Sequence, residues 1–227
     1  MIKTRSFFVT STGTGIGKTF ISVKIIEYFL KNQITIEPFK PVLSGYDKKN
    51  IKESDSGKLL TAINTELSFP NIESISPWLF SRPVAPTLAA KYENKKITFQ
   101  SLKKWCIDKK RYSNSNYQLF EGAGGLMVPI QKRKTFINLF KELRMPVILI
   151  VGSYLGTISH TLSAYENLKT NKIDIINIII NEGNKKTVSY QENLSLLKES
   201  LPNKILIRGF SNNFNFQNKQ IKLIASD

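Results

Sequence analysis

The chain has 227 residues, 41% hydrophobic and 22% charged, and its longest apolar runs, residues 146–151 and 175–180, are far too short to span a bilayer. One cysteine excludes an internal disulfide framework, and the lack of an apolar signal region near the start leads us to expect a cytoplasmic protein. The net charge of +16 comes from scattered lysines with no aromatic-flanked basic stripe, so we expect neither a nucleic-acid nor a membrane partner.

The chain opens with a pattern of strand, loop, helix and strand. Residues 6–10 predict a short buried strand, and a glycine-rich loop follows it. Residues 18–31 carry apolar side chains at helical spacing, and residues 34–40 predict a second strand that Pro41 ends. Such a unit predicts parallel strands with a right-handed connection.

Further along, the pattern is weak up to about residue 116 and then becomes regular. Further strands are predicted over residues 117–121, 146–151, 173–181 and 204–208. Helices are predicted over residues 55–63, 99–109, 135–143, 155–169 and 189–200, and helix-forming residues follow two prolines within residues 82–90. Strands that alternate with helices predict an α/β fold with a mostly parallel sheet covered by helices on both faces. We expect one domain over residues 1–227 and assign no structure to the tail after residue 210.

The loop over residues 11–19 reads Ser-Thr-Gly-Thr-Gly-Ile-Gly-Lys-Thr and predicts a phosphate site. Gly15 and Gly17 lack Cβ atoms, so the backbone can turn its N–H groups towards phosphate oxygens. Lys18 can reach the β- and γ-phosphates, and the Thr19 hydroxyl can ligate Mg²⁺. The loop therefore indicates that the chain binds a nucleoside triphosphate together with magnesium.

The match to the usual phosphate-loop pattern, G-x-x-x-x-G-K-[ST], is incomplete. Gly13 stands one residue too late for the first glycine, and Ser11 stands where a longer variant of the loop carries that glycine. Gly-Lys-Thr between a strand and a helix is nevertheless specific. The candidate nucleotide-binding residues of the loop are Gly13, Thr14, Gly15, Ile16, Gly17, Lys18, Thr19 and Phe20.

Four further features lie where ligands collect in open parallel sheets, at or near strand ends. Lys40 follows the second strand and places a cation beside the phosphate loop. Glu121 ends a strand before a glycine-rich turn, a common position for a magnesium-associated carboxylate. Asp55 begins a predicted helix and is either a cap or part of the site. The turn over residues 156–159 opens another helix and is a possible second anion site.

Taken in this order, the motifs over residues 6–181 resemble those of dethiobiotin synthetases. The segments that carry the resemblance are Phe8-Val9-Thr10 with the Gly-Lys-Thr loop, Lys40-Pro41-Val42-x-Ser44-Gly45, Ser54-Asp55, Pro83-x-x-Pro86-x-x-Ala89-Ala90, residues 121–129 and residues 155–161. The resemblance implies a P-loop NTPase fold and an ATP- and Mg²⁺-dependent ligase. Such an enzyme converts 7,8-diaminononanoate and CO2 into dethiobiotin, ADP and phosphate through a carbamate and a carbamic–phosphoric anhydride.

The resemblance also implies roles for single residues. Lys18 and Lys40 hold the γ-phosphate and the carbamate, and Thr14 assists them. The residues implied around magnesium are Thr19, Asp55 and Glu121. The resemblance places Ser44 near the diamine or carbamate, Asn181 on adenine, and Gly156, Thr157, Ile158 and Ser159 on the substrate carboxylate of the neighbouring subunit in a homodimer. The chain departs from the family at Ser11 and Gly13, where a glycine and an acidic residue are usual, at Ser159, where asparagine is common, and at Thr87, where histidine is usual.

Two other classes share the early motifs. Cobyrinic-acid-type amidating synthetases need a glutaminase domain, for which 227 residues leave no room. ParA/MinD-like ATPases, which bind DNA or membrane, normally carry an extra lysine near the start of the loop, and residues 11–16 contain none. The ParA/MinD-like reading remains the alternative to the synthetase reading.

Overall fold

A six-stranded parallel sheet forms the centre of the protein in this computed structural model, which describes residues 4–183 and 188–210. In spatial order its strands are β10 (Ile207–Phe210), β9 (Ile175–Asn181), β8 (Val147–Gly152), β1 (Arg5–Ser11), β5 (Tyr117–Glu121) and β2 (Ile36–Phe39). Every pair of neighbours in this sheet is parallel. The predicted α/β class with a mostly parallel sheet is therefore confirmed.

The strands at the centre of the sheet are buried along their whole length. All six residues of β8 and all five residues of β5 are buried, which requires cover on both faces of the sheet. A strand buried on both faces has a continuous apolar run in its sequence, such as Val-Ile-Leu-Ile-Val in β8. Strand β5 departs from this apolar pattern at Gln118 and at Glu121, which places a fully buried carboxylate at the end of the strand.

Eight α-helices accompany the sheets within the described residues. They are α1 (Lys18–Lys31), α2 (Asp55–Ala62), α3 (Phe69–Ile75), α4 (Pro86–Tyr92), α5 (Phe99–Arg111), α6 (Phe136–Leu143), α7 (Thr157–Thr170) and α8 (Tyr190–Ser200). Six of the predicted helices occur with ends that shift by no more than two residues. Capping side chains explain several starts, since Ser54, Thr98 and Ser189 each accept a hydrogen bond from the first turn of the helix that follows.

The weakly patterned middle of the chain contains elements that the sequence did not predict. Helix α3 lies there, and β3 (Val42–Ser44) pairs in parallel with β4 (Trp78–Phe80) in a separate two-stranded sheet. A second small sheet is the antiparallel pair β6 (Pro129–Gln131) and β7 (Lys134–Thr135). Strands of two or three residues are too short to show a period of two, which is why the pattern missed them.

Two further expectations concern the end of the chain and membrane-spanning segments. The last strand, predicted over residues 204–208, occupies residues 207–210 instead, and the tail after residue 210 lies outside the described residues. Among the helices of residues 4–183 and 188–210, none is long and apolar enough to cross a membrane.

The topology gathers the loops of the candidate site at one edge of the sheet. Because the strands are parallel, β1, β2, β5, β8 and β9 all end on the same side. The predicted residues Lys18, Lys40, Glu121 and Asn181 follow or close four of these strands. Such an edge is where open α/β sheets bind ligands.

Candidate active site

The glycine-rich loop joins β1 to α1 in a conformation that needs glycine at two positions. Gly15 has φ +72° and Gly17 has φ +92°, both in the left-handed region, and Gly17 is the N-cap of α1. A Cβ atom on Gly17 would collide with the side-chain amide of Asn181. The loop therefore presents the N-terminus of α1 to any anion that enters, with the backbone dipoles in favour of negative charge.

Lys18 is buried and is held by uncharged acceptors. Its Nζ donates to Ser11 Oγ at 3.0 Å and lies 3.4 Å from the Gly13 carbonyl oxygen. Burial, followed by repulsion from Lys40, lowers the pKa of Lys18 to about 8. The cation is thus poorly compensated within the protein and is suited to receive an anionic ligand.

Lys40 is also buried, but it is surrounded by carboxylates. Its Nζ lies 2.6 Å from Glu121 Oε1 and 2.8 Å from Asp55 Oδ2, and it donates to the Gly122 carbonyl oxygen at 3.2 Å. Burial lowers the pKa of Lys40, but the charges of Glu121 and Asp55 outweigh burial, so the net pKa is raised above its usual range. Lys40 is therefore charged throughout the physiological range.

The two carboxylates and the hydroxyl of Thr19 fit a magnesium ion. Thr19 Oγ1 donates to Glu121 Oε1 at 2.7 Å, while Glu121 Oε2 is buried and has no hydrogen-bond partner among the described residues. Burial raises the pKa of Asp55, but the charge of Lys40 and the hydrogen bond from Lys40 lower it overall, so Asp55 is ionised. A buried carboxylate oxygen without a partner calls for an explanation, and a cation supplies one.

The donor set also indicates which metal suits the site. No group of three or more His, Cys, Asp or Glu residues is placed to hold a metal ion in residues 4–183 and 188–210. Two carboxylates with one hydroxyl do not form a complete protein cage. Mg²⁺ commonly binds through one or two carboxylates and completes its shell with water and substrate phosphates. Thr19, Asp55 and Glu121 are the residues that would hold it.

A cavity of about 490 Å³ opens above these side chains. Of the predicted site residues, it is lined by Thr14, Gly15, Gly17, Lys18, Thr19, Phe20, Lys40, Ser44 and Asp55. Ser44 Oγ is buried and has no hydrogen-bond partner among the described residues, so its polar atom is available to a ligand. Glu121 does not line the cavity but reaches it through its contacts with Lys40 and Thr19. The structure thus brings the phosphate loop, Lys40 and Asp55 into one site.

Part of the cavity lining forms an apolar wall, and the sequence did not identify it as part of the site. It consists of Val42, Pro83, Val84, Ala85, Pro86 and Val128. The two prolines had contributed only to the family resemblance. The Glu93 carboxylate braces this wall, because its Oε1 accepts hydrogen bonds from the backbone N–H groups of Ser81 and Arg82. A cavity lined by this apolar wall and by two lysines suits a substrate that has both a hydrocarbon part and an anionic part.

Two predicted residue sets lie outside this cavity. Asn181 ends β9, and its Nδ2 donates to the Ile16 carbonyl oxygen at 2.9 Å, so it lies beside the phosphate loop. Gly156, with φ +93°, is the N-cap of α7, and Thr157 Oγ1 donates to the Gly152 carbonyl oxygen at 2.6 Å. None of residues 156–159 lines the cavity in this chain. The second anion site predicted there is therefore separate from the phosphate site within one chain.

Solved structures with this architecture are P-loop NTPases. A putative plasmid partition protein from Borrelia burgdorferi, solved with AMPPNP, superposes with a TM-score of 0.52 at 16% identity, over 98% of this chain and 95% of that chain. The signal recognition particle receptor FtsY from Elizabethkingia anophelis gives a TM-score of 0.53 at 9% identity, over 100% of this chain and 66% of its own. At such low identities the likeness establishes the fold alone.

Sequence comparison identifies the family. The family described as "AAA domain" matches residues 5–211. The ATP-dependent dethiobiotin synthetase of Phenylobacterium zucineum is 38% identical over 176 residues, which are 78% of this chain and 75% of that protein. The synthetase of the same name from Legionella pneumophila strain Corby is 35% identical over 90% of this chain and 92% of its own. Together with the phosphate loop and the site around Lys40, these matches show that the chain is an ATP-dependent enzyme and belongs to the dethiobiotin synthetase family.

Proposed function

We propose that the protein converts 7,8-diaminononanoate, CO2 and ATP into dethiobiotin, ADP and phosphate. The observation that carries this proposal is the position of Lys40, a buried cation held between Glu121 and Asp55 at the edge of the cavity that the phosphate loop also lines. Positive charges placed around a transferring phosphoryl group stabilise the charge of its transition state. Lys18 and Lys40 provide two such charges in one cavity.

In the proposed reaction, the residues of the phosphate loop bind the triphosphate. The N–H groups of the loop and the Lys18 ammonium hold the β- and γ-phosphates, with Thr14 at the γ-phosphate. A magnesium ion held by Thr19, Asp55 and Glu121 would neutralise phosphate charge. Asn181, beside the loop, reads the adenine. We propose this role on the family resemblance and on its contact with Ile16.

Lys40 and Ser44 hold the second substrate. One amine of the diamine adds to CO2 to form a carbamate and releases a proton, and Lys40 pairs with the carbamate oxygens while the buried Ser44 hydroxyl offers a hydrogen bond. A carbamate oxygen attacks the γ-phosphorus, and ADP leaves. The second amine then attacks the carbonyl carbon of the carbamic–phosphoric anhydride, closes the ring and expels phosphate. The work of the protein is to align these reactants and to stabilise the developing charge.

We further propose that the chain acts as one synthetase domain in a cytoplasmic homodimer. The N-terminus of α7, residues 156–159, does not line the phosphate cavity of its own chain. A turn that opens a helix of 14 residues is suited to a carboxylate. If this turn binds the substrate carboxylate of the neighbouring subunit, its distance from the cavity of its own chain and its suitability for an anion are both explained.

The decisive experiment measures ADP release with and without the diamine. We expect release that needs diaminononanoate, bicarbonate as a source of CO2, and Mg²⁺ together, with dethiobiotin formed in equal amount and identified by mass spectrometry. ATP turnover that ignores the diamine and rises with DNA or anionic vesicles would instead support the ParA/MinD-like reading.

A further inference from the structure

The phosphate loop contains a buried hydroxyl that the proposed reaction does not use. Ser11 is the last residue of β1 and is fully buried, in a position where the family usually has glycine. Its Oγ lies 3.0 Å from Lys18 Nζ and 3.3 Å from the carbonyl oxygen of Gly124, and it also contacts the carbonyl oxygen of Gly13. A glycine in this position could make none of these contacts.

The directions of these hydrogen bonds are fixed by the chemistry of the groups. An ammonium only donates, so Ser11 Oγ accepts from Lys18. The single hydroxyl proton is then shared between the carbonyl oxygens of Gly13 and Gly124, which only accept, with the Gly13 oxygen the nearer of the two. Ser11 therefore links three groups: the Lys18 ammonium, the phosphate loop, and the glycine-rich turn that follows Glu121.

The same contacts leave part of the Lys18 ammonium available. Of its three N–H donors, one is directed to Ser11 and one to the Gly13 carbonyl oxygen at a long 3.4 Å. The described residues offer no acceptor to the third, and Lys18 lines the cavity. Without Ser11 the ammonium would keep only the longer contact, which is a weak hydrogen bond.

We propose that Ser11 is a positioning residue that holds Lys18 against the floor of the phosphate loop, with one N–H donor left for the incoming phosphate. A long lysine side chain loses rotamer freedom when it binds a ligand, and a hydroxyl that fixes it beforehand lowers that loss. The inference rests on the proposed contact between Lys18 and the phosphates, but not on the identity of the second substrate.

The test compares the binding of the ATP analogue AMPPNP by calorimetry in four proteins: the natural chain, Ser11→Ala, Lys18→Ala and the double variant. We expect Ser11→Ala to weaken binding about tenfold, because it removes a hydrogen bond to a charged group. In the Lys18→Ala background we expect the same change to alter affinity by less than twofold, because the group that Ser11 positions is absent.

Ser22→Ala is a matched control in the same region. Ser22 is fully buried in the helix that begins at Lys18, and its hydroxyl has no hydrogen-bond partner among the described residues. We expect Ser22→Ala to leave the affinity for AMPPNP unchanged. If Ser11→Ala does not fold, Ser11→Gly removes the same hydroxyl and introduces the residue usual in the family.

Three outcomes would overturn the inference: an unchanged affinity in both Ser11 variants, an equal loss with and without Lys18, or an equal loss in Ser22→Ala. Thermal unfolding of each variant separates a local effect on Lys18 from a general loss of structure. A protein that binds AMPPNP but makes no dethiobiotin would refute the proposed function alone, and the role of Ser11 would still be measurable.

Discussion

The two lysines of the site lie in the same cavity but in opposite electrostatic surroundings. Lys18 is held by a hydroxyl and a carbonyl oxygen, whereas Lys40 is held by two carboxylates. Burial therefore dominates at Lys18 and lowers its pKa to about 8, while the carboxylates dominate at Lys40 and raise its pKa. Lys18 still lacks a counter-charge in direct contact, which a phosphate would supply, whereas Lys40 already contacts two carboxylates.

The comparison teaches that equal importance for the reaction need not mean equal importance for the fold. Removal of Lys40 would leave Glu121 fully buried without its cation, and uncompensated buried charges are strongly destabilising. Removal of Lys18 leaves two neutral hydrogen-bond acceptors, relieves a desolvation cost, and leaves Glu121 and Asp55 paired with Lys40. Substitutions at the two sites should therefore differ in stability even where they agree in activity.

The largest expected effect follows from replacing each lysine by alanine. Both Lys40→Ala and Lys18→Ala should lower kcat/KM at least about 100-fold, because each removes a cation at the transferring phosphoryl group. Only Lys40→Ala should also lower the free energy of unfolding, by about 3–5 kcal/mol, whereas Lys18→Ala should change it by less than about 1 kcal/mol. Urea denaturation measures the difference. Lys24→Ala, at a half-exposed lysine paired with Glu27, should stay within about 0.5 kcal/mol.

Equal stability losses at Lys40 and Lys18 would break the comparison. That result would mean that Glu121 and Asp55 do not depend on Lys40 for their compensation. Near-normal activity of Lys40→Ala would separately refute its proposed place beside the carbamate.

A double-mutant cycle sharpens the same contrast with a smaller effect. Glu121→Gln alone and Lys40→Met alone should each destabilise the protein, because each leaves one charge of the pair without its closest partner. The double variant should be more stable than the sum of the two losses predicts, by about 1–3 kcal/mol. If the loss in the double variant equals the sum of the two single losses, the 2.6 Å contact between Lys40 and Glu121 carries no coupling energy. Activity should not return in the double variant, because the cation is still missing.

The sequence predicted both lysines but not the difference between them. Gly-Lys-Thr between a strand and a helix locates Lys18, and a lysine before Pro41 at a strand end locates Lys40. Whether burial or a carboxylate dominates the pKa depends on residues distant in the chain, since Glu121 lies 81 positions after Lys40. Strand order brings the two together, because β5 lies beside β2 in the sheet. No local pattern in the sequence contains that pairing.

The fold was predicted best where elements are long and regular. Helix α1 was predicted without error, and the buried run of β8 was placed within one residue. The apolar cavity wall was missed because Pro83 and Pro86 belong to a segment without hydrophobic periodicity. The strand β4 just before it has only three residues and shows no periodicity either. Packing of such segments is decided by contacts with other elements and not by local preference.

The close contact between the phosphate loop and the turn after Glu121 allows a third prediction, which concerns the surroundings of Lys18 and not those of Lys40. A Cβ atom on Gly125 would lie 3.2 Å from the Ser11 carbonyl oxygen and 3.3 Å from Gly13 N. Gly125→Ala should therefore push the two loops apart, cost about 1–3 kcal/mol and weaken AMPPNP binding. Gly122→Ala, whose Cβ would meet only ordinary contacts at 3.6 Å and beyond, should cost less than about 1 kcal/mol. Similar unfolding midpoints for the two variants would contradict the contact.

The smallest expected effect concerns Glu93, a carboxylate that pairs with the half-exposed Lys95 and not with a buried lysine. Burial raises its pKa, but hydrogen bonds from Lys95, from the Ser81 hydroxyl and from the N–H groups of Arg82 and Ser81 lower it to about 2. Because the folded-state pKa lies below the 4.5 that is usual for a glutamate, the stabilisation is complete above about pH 4.5 and is lost as the pH falls through 2.

Glu93→Gln should therefore cost about 1 kcal/mol at pH 7, and the gap from the natural chain should shrink between pH 4.5 and pH 2. Urea denaturation across this range measures the gap, with Glu73→Gln, at an exposed helical position, as the control. Glu93 holds the backbone just before the apolar wall and contacts neither Lys18 nor Lys40. The variant should therefore raise the KM for the diamine and leave AMPPNP affinity unchanged. A loss of AMPPNP affinity would show that the apolar wall and the phosphate loop are coupled, and the contrast between Lys18 and Lys40 would then have to include the wall that shares their cavity.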